Sequence, residues 1–295
     1  MVDLATSTEY DTNNLWKLRY SGYSRSAVKA EKLSSGLRIN KASDDASGLA
    51  IADKLRTQKN SIQQSVSNAN SAVAMIQIAD KAMGEQSNIL DIVKTKLIQA
   101  ATATTSNEGR QAVAKDINKL LTQLDNIASQ TNYNGMSLLQ KADTDTTATV
   151  ALQFQVGEKS TNTISTTGTV QSNTTGLAQS SPTDTLADLK TDTTGTGIGL
   201  TSSNSKTYLT VVDLALSDLN SFRSNFGSTQ NQVEAATRNM MTQVTNIAAA
   251  ESVIRDVDYA SESANFSKYT VIASASTYAE SQANSRPNDV LKLLN

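Results

Sequence analysis

Two groups of residues have the types and spacing that chemistry could use: the pair Asp44-Asp45, and Asp256 with Asp258 beside Arg255. Neighbouring carboxylates can hold a divalent cation or divide acid and base work between them. Neither group has the company such work needs. The chain contains no histidine and no cysteine, so the commonest general base, the thiol nucleophile, disulfides and the usual zinc ligands are missing together. Plainer roles fit better. Asp44 and Asp45 lie where a helix should begin, and a carboxylate facing its free amides contributes about 0.3 to 1 kcal/mol. Asp256, Asp258 and Arg255 suit surface or interface ion pairing. The sequence therefore predicts no catalytic, cofactor-binding or metal site.

The element that positions the first pair is the run Leu33-Ser34-Ser35-Gly36-Leu37-Arg38-Ile39-Asn40-Lys41-Ala42-Ser43-Asp44-Asp45-Ala46-Ser47-Gly48. Its glycines and serines interrupt a helix, and Ser43 and Asp44 can cap the next one. From Leu55 an apolar column recurs every seventh residue through Ile62, Ala69, Ile76, Met83, Leu90 and Leu97, with Ala52, Val66 and Val73 beside it. A sustained heptad argues for a long helix in a left-handed supercoil. Lys59, Asp80 and Lys94 spoil the second column at the spacing of four. Thr105 with Glu108 fits a capping box, and Val113, Ile117, Leu120, Leu124 and Ile127 form the seam of a second helix. Asn132-Tyr133-Asn134-Gly135 reads as a tight turn.

Between Thr149 and Gly157 the period changes to two, placing Val150, Leu152, Phe154 and Val156 on one face of a strand whose partner falls in Thr163 to Val170. The region from Asp143 to Thr207 is roughly two-fifths Ser and Thr, too polar for much core. The column then returns as Val212, Leu219, Phe226, Val233, Met240, Ile247 and Ile254, and continues through Val257, Ala264, Val271 and Tyr278. It predicts helix to Asn284, before Pro287. Residues 1–32 differ in texture, holding the sole tryptophan, Trp16, and Tyr10, Tyr20 and Tyr23 around a helix over Leu15 to Leu33 whose apolar set is Leu15, Leu18, Val28 and Leu33.

The expected fold is mainly α: a long antiparallel coiled-coil bundle of the N- and C-terminal parts, with a small β-rich or irregular, solvent-exposed insertion. The apolar fraction of 38% suits helices that bury one narrow stripe each. A formal net charge of −2 without basic clusters argues against nucleic acid, and no apolar run is long enough to cross a bilayer. The N-terminus has no signal-peptide pattern.

Several motifs resemble bacterial flagellins in order and distance: Leu33 to Gly48, Asn132 to Gly135 with Leu138-Leu139, Phe154-Gln155-Val156-Gly157, Ile254 to Ala260, and Gln282-Ala283-Asn284 with Val290-Leu291-Lys292-Leu293-Leu294. From Asp80 through Leu139 the wording is most similar to the Campylobacter and Arcobacter group. The resemblance implies a structural subunit that self-polymerises into the flagellar filament, secreted through the flagellar type III apparatus and not an enzyme. It divides the chain into an inner coiled-coil layer (1–44 and 256–295), a helical core (45–141 and 208–255) and a variable insertion (142–207). Copies of itself, an export chaperone, a cap protein and hook-junction proteins are the implied partners, with no cofactor, nucleic acid or membrane. A hook-filament junction protein, or a non-polymerising helical adaptor, is the alternative. Where many flagellins engage an innate immune receptor through an arginine with a glutamate nearby, this chain has Ile92 and Thr95, so weak receptor binding is expected. Serines and threonines of the insertion are candidates for O-linked sugars. Residues 1–32 depart from the family pattern, as a divergent terminus or a segment from a shifted reading frame.

Overall fold

In the computed structural model, the described backbone comprises residues 3–140, 151–166, 168–179, 184–194 and 199–294, with side chains at Asn14 and from Trp16 to Ser285 within them. Helices α1 (Asp3–Ser35), α2 (Ala46–Ala101) and α3 (Asn107–Gln130) precede two small hairpins, β1 (Asn132–Tyr133) with β2 (Met136–Ser137) and β3 (Gln153–Gln155) with β4 (Thr163–Ser165). A short α4 (Leu186–Asp192) and the long α5 (Ser202–Arg255) and α6 (Tyr259–Leu294) follow. The chain divides into two compact units, residues 1–60 with 245–295, and residues 61–244.

In the unit of residues 61–244 the heptad column of α2 is buried from Ile62 to Leu97, as its period requires. Its companion column lies three residues ahead, at Ser65, Ala72, Ala79, Gln86, Val93 and Ala100, all buried. The expected spacing of four put Val66 and Val73 beside it, and these are half-buried on the flank with Asp80 and Lys94. Charges that spoil one reading of the seam thus serve as its rim: Asp80 pairs with Arg223 at 2.9 Å, and Lys94 with Asp213. Those two pairings run α5 antiparallel to α2. On α5, Val212, Leu219, Phe226, Val233 and Met240 are buried as expected.

Helix α3 buries Leu121 and Ala128 in place of the expected Leu120 and Ile127, because a straight helix advances 3.6 residues per turn and drifts off a 3.5 repeat. Its cap is Ser106, accepting from the Gly109 N–H at 3.1 Å. The expected cap, Thr105, instead donates its hydroxyl to the Gln99 carbonyl at 2.8 Å, closing the end of α2.

Strand β3 pairs antiparallel with β4, with Phe154 opposite Ile164. Thr149 and Val150, at the start of the expected strand, lie outside the described residues. The polar insertion is less solvent-facing than its composition suggests. Val170, Leu177, Ala178, Leu186 and Leu189 are buried, as are Ser172, Asn173 and Thr174. Hydrogen bonds offset much of that burial, although the Ser172 hydroxyl has no partner among the described residues. The Asp125 carboxylate accepts from the Thr174 N–H (2.7 Å), the Thr174 hydroxyl (3.0 Å) and Lys190 Nζ (2.6 Å). The buried Gln86 amide donates to the carbonyls of Leu124 (3.2 Å) and Ser172 (3.0 Å). Burial, then the hydrogen bond to Asp192, pushes the Tyr208 hydroxyl well above its ordinary range.

In the unit of residues 1–60 and 245–295, α1 is one helix that begins well before Leu15, and α6 packs along it. The side chain of Leu15 lies outside the description. The continuous helix expected through Val257 is broken at Asp256–Asp258, and α6 then runs past Asn284 and carries Pro287 inside it. A proline removes one helix donor and favours a kink, which a helix packed along a neighbour can absorb.

Candidate functional site

The residues between α1 and α2 cross those between α5 and α6, and the crossing is a small built structure. Gly36 ends α1 in the left-handed conformation, φ 72°, with its N–H on the Lys32 carbonyl at 2.9 Å. This turn aims the next residues at the end of α5. The Val257 N–H donates to the Gly36 carbonyl at 3.0 Å and the Arg38 N–H to the Arg255 carbonyl at 2.6 Å, flanking an antiparallel bridge between Leu37 and Asp256. The Arg38 guanidinium adds two donors to the Ile254 carbonyl, Nε at 3.2 Å and Nη2 at 2.6 Å. The last carbonyls of a helix lack intrahelical partners and carry its negative dipole end, so a cation there serves both needs.

The acidic residues singled out by sequence are fittings of this joint. Asp44 reaches backwards, accepting the N–H groups of Asn40 and Lys41, each at 3.0 Å, and those bonds hold its carboxyl below the usual range. Asp45, not Ser43 or Asp44, caps α2, accepting the Gly48 N–H at 2.9 Å. Lys41 lies 2.8 Å from Glu31; the hydrogen bond between them lowers the glutamate and raises the lysine. Asp258 caps α6 through the Ala260 N–H at 3.0 Å, and Asp256 accepts from the Ser252 hydroxyl. Arg255 lies 3.9 Å from Asp53. Asp256 and Asp258 thus serve backbone and hydroxyl groups, where ion pairing was expected. No group of three or more acidic, histidine or cysteine side chains suited to a metal occurs among the described residues.

Beyond the joint, α1 and α6 face each other through Gly22 against Ala273, through ion pairs Lys29–Glu262 (3.1 Å) and Arg19–Glu280 (2.9 Å), and through Arg25 over the Tyr269 ring at 5.5 Å. Each helix also has an opposite face. On α1, Trp16, Tyr20, Tyr23, Ala27, Ala30 and Ser34 recur at alternating spacings of four and three, all exposed and all uncharged. Trp16 and Tyr20 stack with centroids 5.7 Å apart. On α6, Ala264, Ser267, Val271, Ala275 and Tyr278 form a similar uncharged, exposed row, with Tyr278 74% exposed. The heptad continuation read through Val271 and Tyr278 is real, yet it lies on the outer face. Such a seam has the spacing of a coiled-coil contact with nothing against it among the described residues.

The bacterial flagellin N-terminal helical region model matches residues 7–144, and the flagellin C-terminal helical region model matches residues 209–294. The chain belongs to the bacterial flagellin family. It is a structural subunit of the flagellar filament. Flagellin of Bacillus subtilis is 35% identical over 93% of this chain and 94% of its own length. The flagellar filament 30.7 kDa core protein of Treponema maltophilum is 31% identical over 97% and 98%. Among solved structures, a putative flagellar hook-associated protein of Vibrio parahaemolyticus shares the fold, with TM-score 0.56 and 11% identity over 72% of this chain and 99% of its own. The flagellin match begins at residue 7, inside the segment whose aromatic content sets it apart. Ile92 is 48% exposed on α2, and the Thr95 hydroxyl donates to the Asp91 carbonyl of its own helix at 3.0 Å. No helix among the described residues is long and apolar enough to cross a membrane.

Proposed function

We propose that this flagellin assembles through the outer seams of α1 and α6, each copy covering on its neighbours the rows headed by Trp16 and Tyr278. The observation that carries this is the coexistence of two exposed, uncharged, heptad-spaced faces on helices already packed by their other sides. A soluble adaptor would turn such rows inward. In the assembled state the residues of 1–44 and 256–295 form the inner layer, those of 45–141 and 208–255 the helical core, and the joint around Arg38 and Asp256 is the hinge of that division. The subunit is secreted, works outside the cell and catalyses nothing. An export chaperone, a cap protein and hook-junction proteins handle it before and during assembly, and residues 142–207 offer serines and threonines for O-linked sugars.

Because Trp16 is the chain's sole tryptophan and is 51% exposed, its fluorescence reports the α1 seam directly. On seeded polymerisation its emission should shift to the blue and its quenching by iodide should fall. Filaments that form while Trp16 stays fully quenchable would overturn the seam assignment, whereas absence of filaments under all seeding conditions would count against polymerisation itself. Receptor binding at the Leu90–Leu97 stretch is weak, since Ile92 offers no guanidinium for bidentate contacts. A reporter-cell assay in which Ile92→Arg gains no potency would oppose that reading.

A further inference from the structure

Asn134-Gly135 is the chain's only Asn-Gly pair, and it forms the two-residue turn between β1 and β2. Both residues have positive φ, 51° and 80°, and both are exposed. Neither the Asn134 carboxamide nor the Gly135 N–H makes a hydrogen bond among the described residues. A side chain built on Gly135 would meet nothing within 4 Å, so the space around this nitrogen is open. An amide electrophile and an unshielded, unengaged backbone nitrogen are therefore adjacent on the surface. What holds them apart is the turn, anchored by only two residue pairs, Asn132 with Ser137 and Tyr133 with Met136. A two-stranded ribbon that short opens at little cost.

We propose that Asn134 is a site of spontaneous deamidation, and that its conversion undoes the β1–β2 hairpin. When the turn opens, the Gly135 nitrogen loses its proton to solvent base and attacks Cγ of Asn134. The new C–N bond closes a five-membered succinimide, the Cγ–Nδ2 bond breaks, and Nδ2 leaves as ammonia after taking up a proton. Water then opens the ring at either carbonyl, giving aspartate or isoaspartate; the balance is one carboxamide and one water for one carboxylic acid and one ammonia, with no oxidant or enzyme. Glycine permits this because it carries no Cβ to shield the nitrogen. Isoaspartate inserts a methylene into the backbone, and a two-residue turn that needs two consecutive positive φ angles cannot be kept across it. The loss reaches the next rung, where the Leu138 N–H donates to the Thr131 carbonyl at 3.1 Å beside the buried Leu138 and Leu139.

The test incubates the full chain at mildly alkaline pH and follows every asparagine-containing peptide by mass spectrometry, using fragmentation that separates isoaspartate from aspartate. Asn134 should convert several-fold faster than Asn126 or Asn132, and its rate in the folded chain should approach that in the urea-unfolded chain. Gly135→Ala should slow conversion several-fold even though it strains the turn. The converted fraction, separated by its extra negative charge, should lose hydrogen-exchange protection at the Leu138 amide. An Asn134 that survives while other asparagines convert overturns the site. Unchanged Leu138 protection in the converted fraction overturns the structural consequence. Both readouts stand apart from polymerisation, so the outcome does not depend on the seam assignment.

Discussion

Replacing Arg38 by alanine removes one guanidinium from the joint and leaves its two backbone hydrogen bonds, from Arg38 to Arg255 and from Val257 to Gly36, in place. The guanidinium gives two N–H donors to the Ile254 carbonyl at the C-terminal end of α5. A hydrogen bond with a charged partner contributes about 1.5 to 3 kcal/mol when sheltered, and exposure at this site brings the expected loss to about 1 kcal/mol. If assembly requires the joint closed, that loss lowers the fraction of competent subunits and raises the critical concentration for polymerisation by at most about fivefold, the full factor applying where the closed joint is the minor state. Sedimentation of seeded filaments over a concentration series measures this. Hydrogen exchange at the amides from Asp256 to Glu262 gives an independent reading on the unassembled chain. Arg38→Lys keeps a charge near the helix end but loses the paired donors, and should fall between the two. An alanine variant whose critical concentration and amide protection both match the parent would refute the claim that this side chain fastens the joint.

Gly36→Ala forces a Cβ into φ 72° and against the Tyr259 hydroxyl at 3.0 Å, so thermal unfolding should report a loss of about 1 kcal/mol or more, with Gly36→Asn milder. Gly84→Ala should stabilise by about 1 kcal/mol in urea unfolding, since the new methyl meets nothing within 4 Å and the helix regains propensity. Asp125→Ala removes the acceptor for two Thr174 bonds and Lys190, and should cost about 3 kcal/mol, read as lost amide protection at Thr174, while Asp125→Asn costs less. For pH, Asp44 and Glu31 are held below their ordinary values, so their contribution is full above about pH 4.5 and is lost as pH falls through the lowered values. Lys41 is raised, so its contribution is full below about pH 10.5 and is lost as pH climbs past the raised value. Protection of the Asn40 and Lys41 amides should therefore hold across the neutral range and fall at both extremes, with Asp44→Asn abolishing most of the acid step.

The long helices are legible in the sequence because their buried columns repeat, and a repeat survives small errors of phase. Cap residues are not legible to the same degree. Thr105 and Ser106 are both competent caps, and the choice turns on which carbonyl at the end of α2 needs a partner, a fact of three dimensions. The same holds for Asp44 and Asp45, whose roles differ only because the loop folds back on one of them. The break at Asp256–Asp258 hid within an unbroken apolar spacing, since Val271 and Tyr278 keep the period while occupying the outer face. Burial in the insertion was concealed by composition. Ser172, Asn173 and Thr174 read as solvent-facing until Asp125 and Gln86 are seen to meet that segment. Arg38, the side chain that ties the joint, carries no motif signal beyond its place in the Leu33–Gly48 run.

The buried columns of α2 are made largely of alanine, leucine, isoleucine and valine, and such columns would tolerate a slip of one heptad, about 10 Å along the axis, with little change in packing. Gln86 forbids it. Its amide is matched to two particular carbonyls, Leu124 and Ser172, and a slipped pairing would strand those donors among methyl groups. One polar residue thus acts as the detent of an otherwise sliding scale, giving up some packing energy so that the bundle closes at a single length.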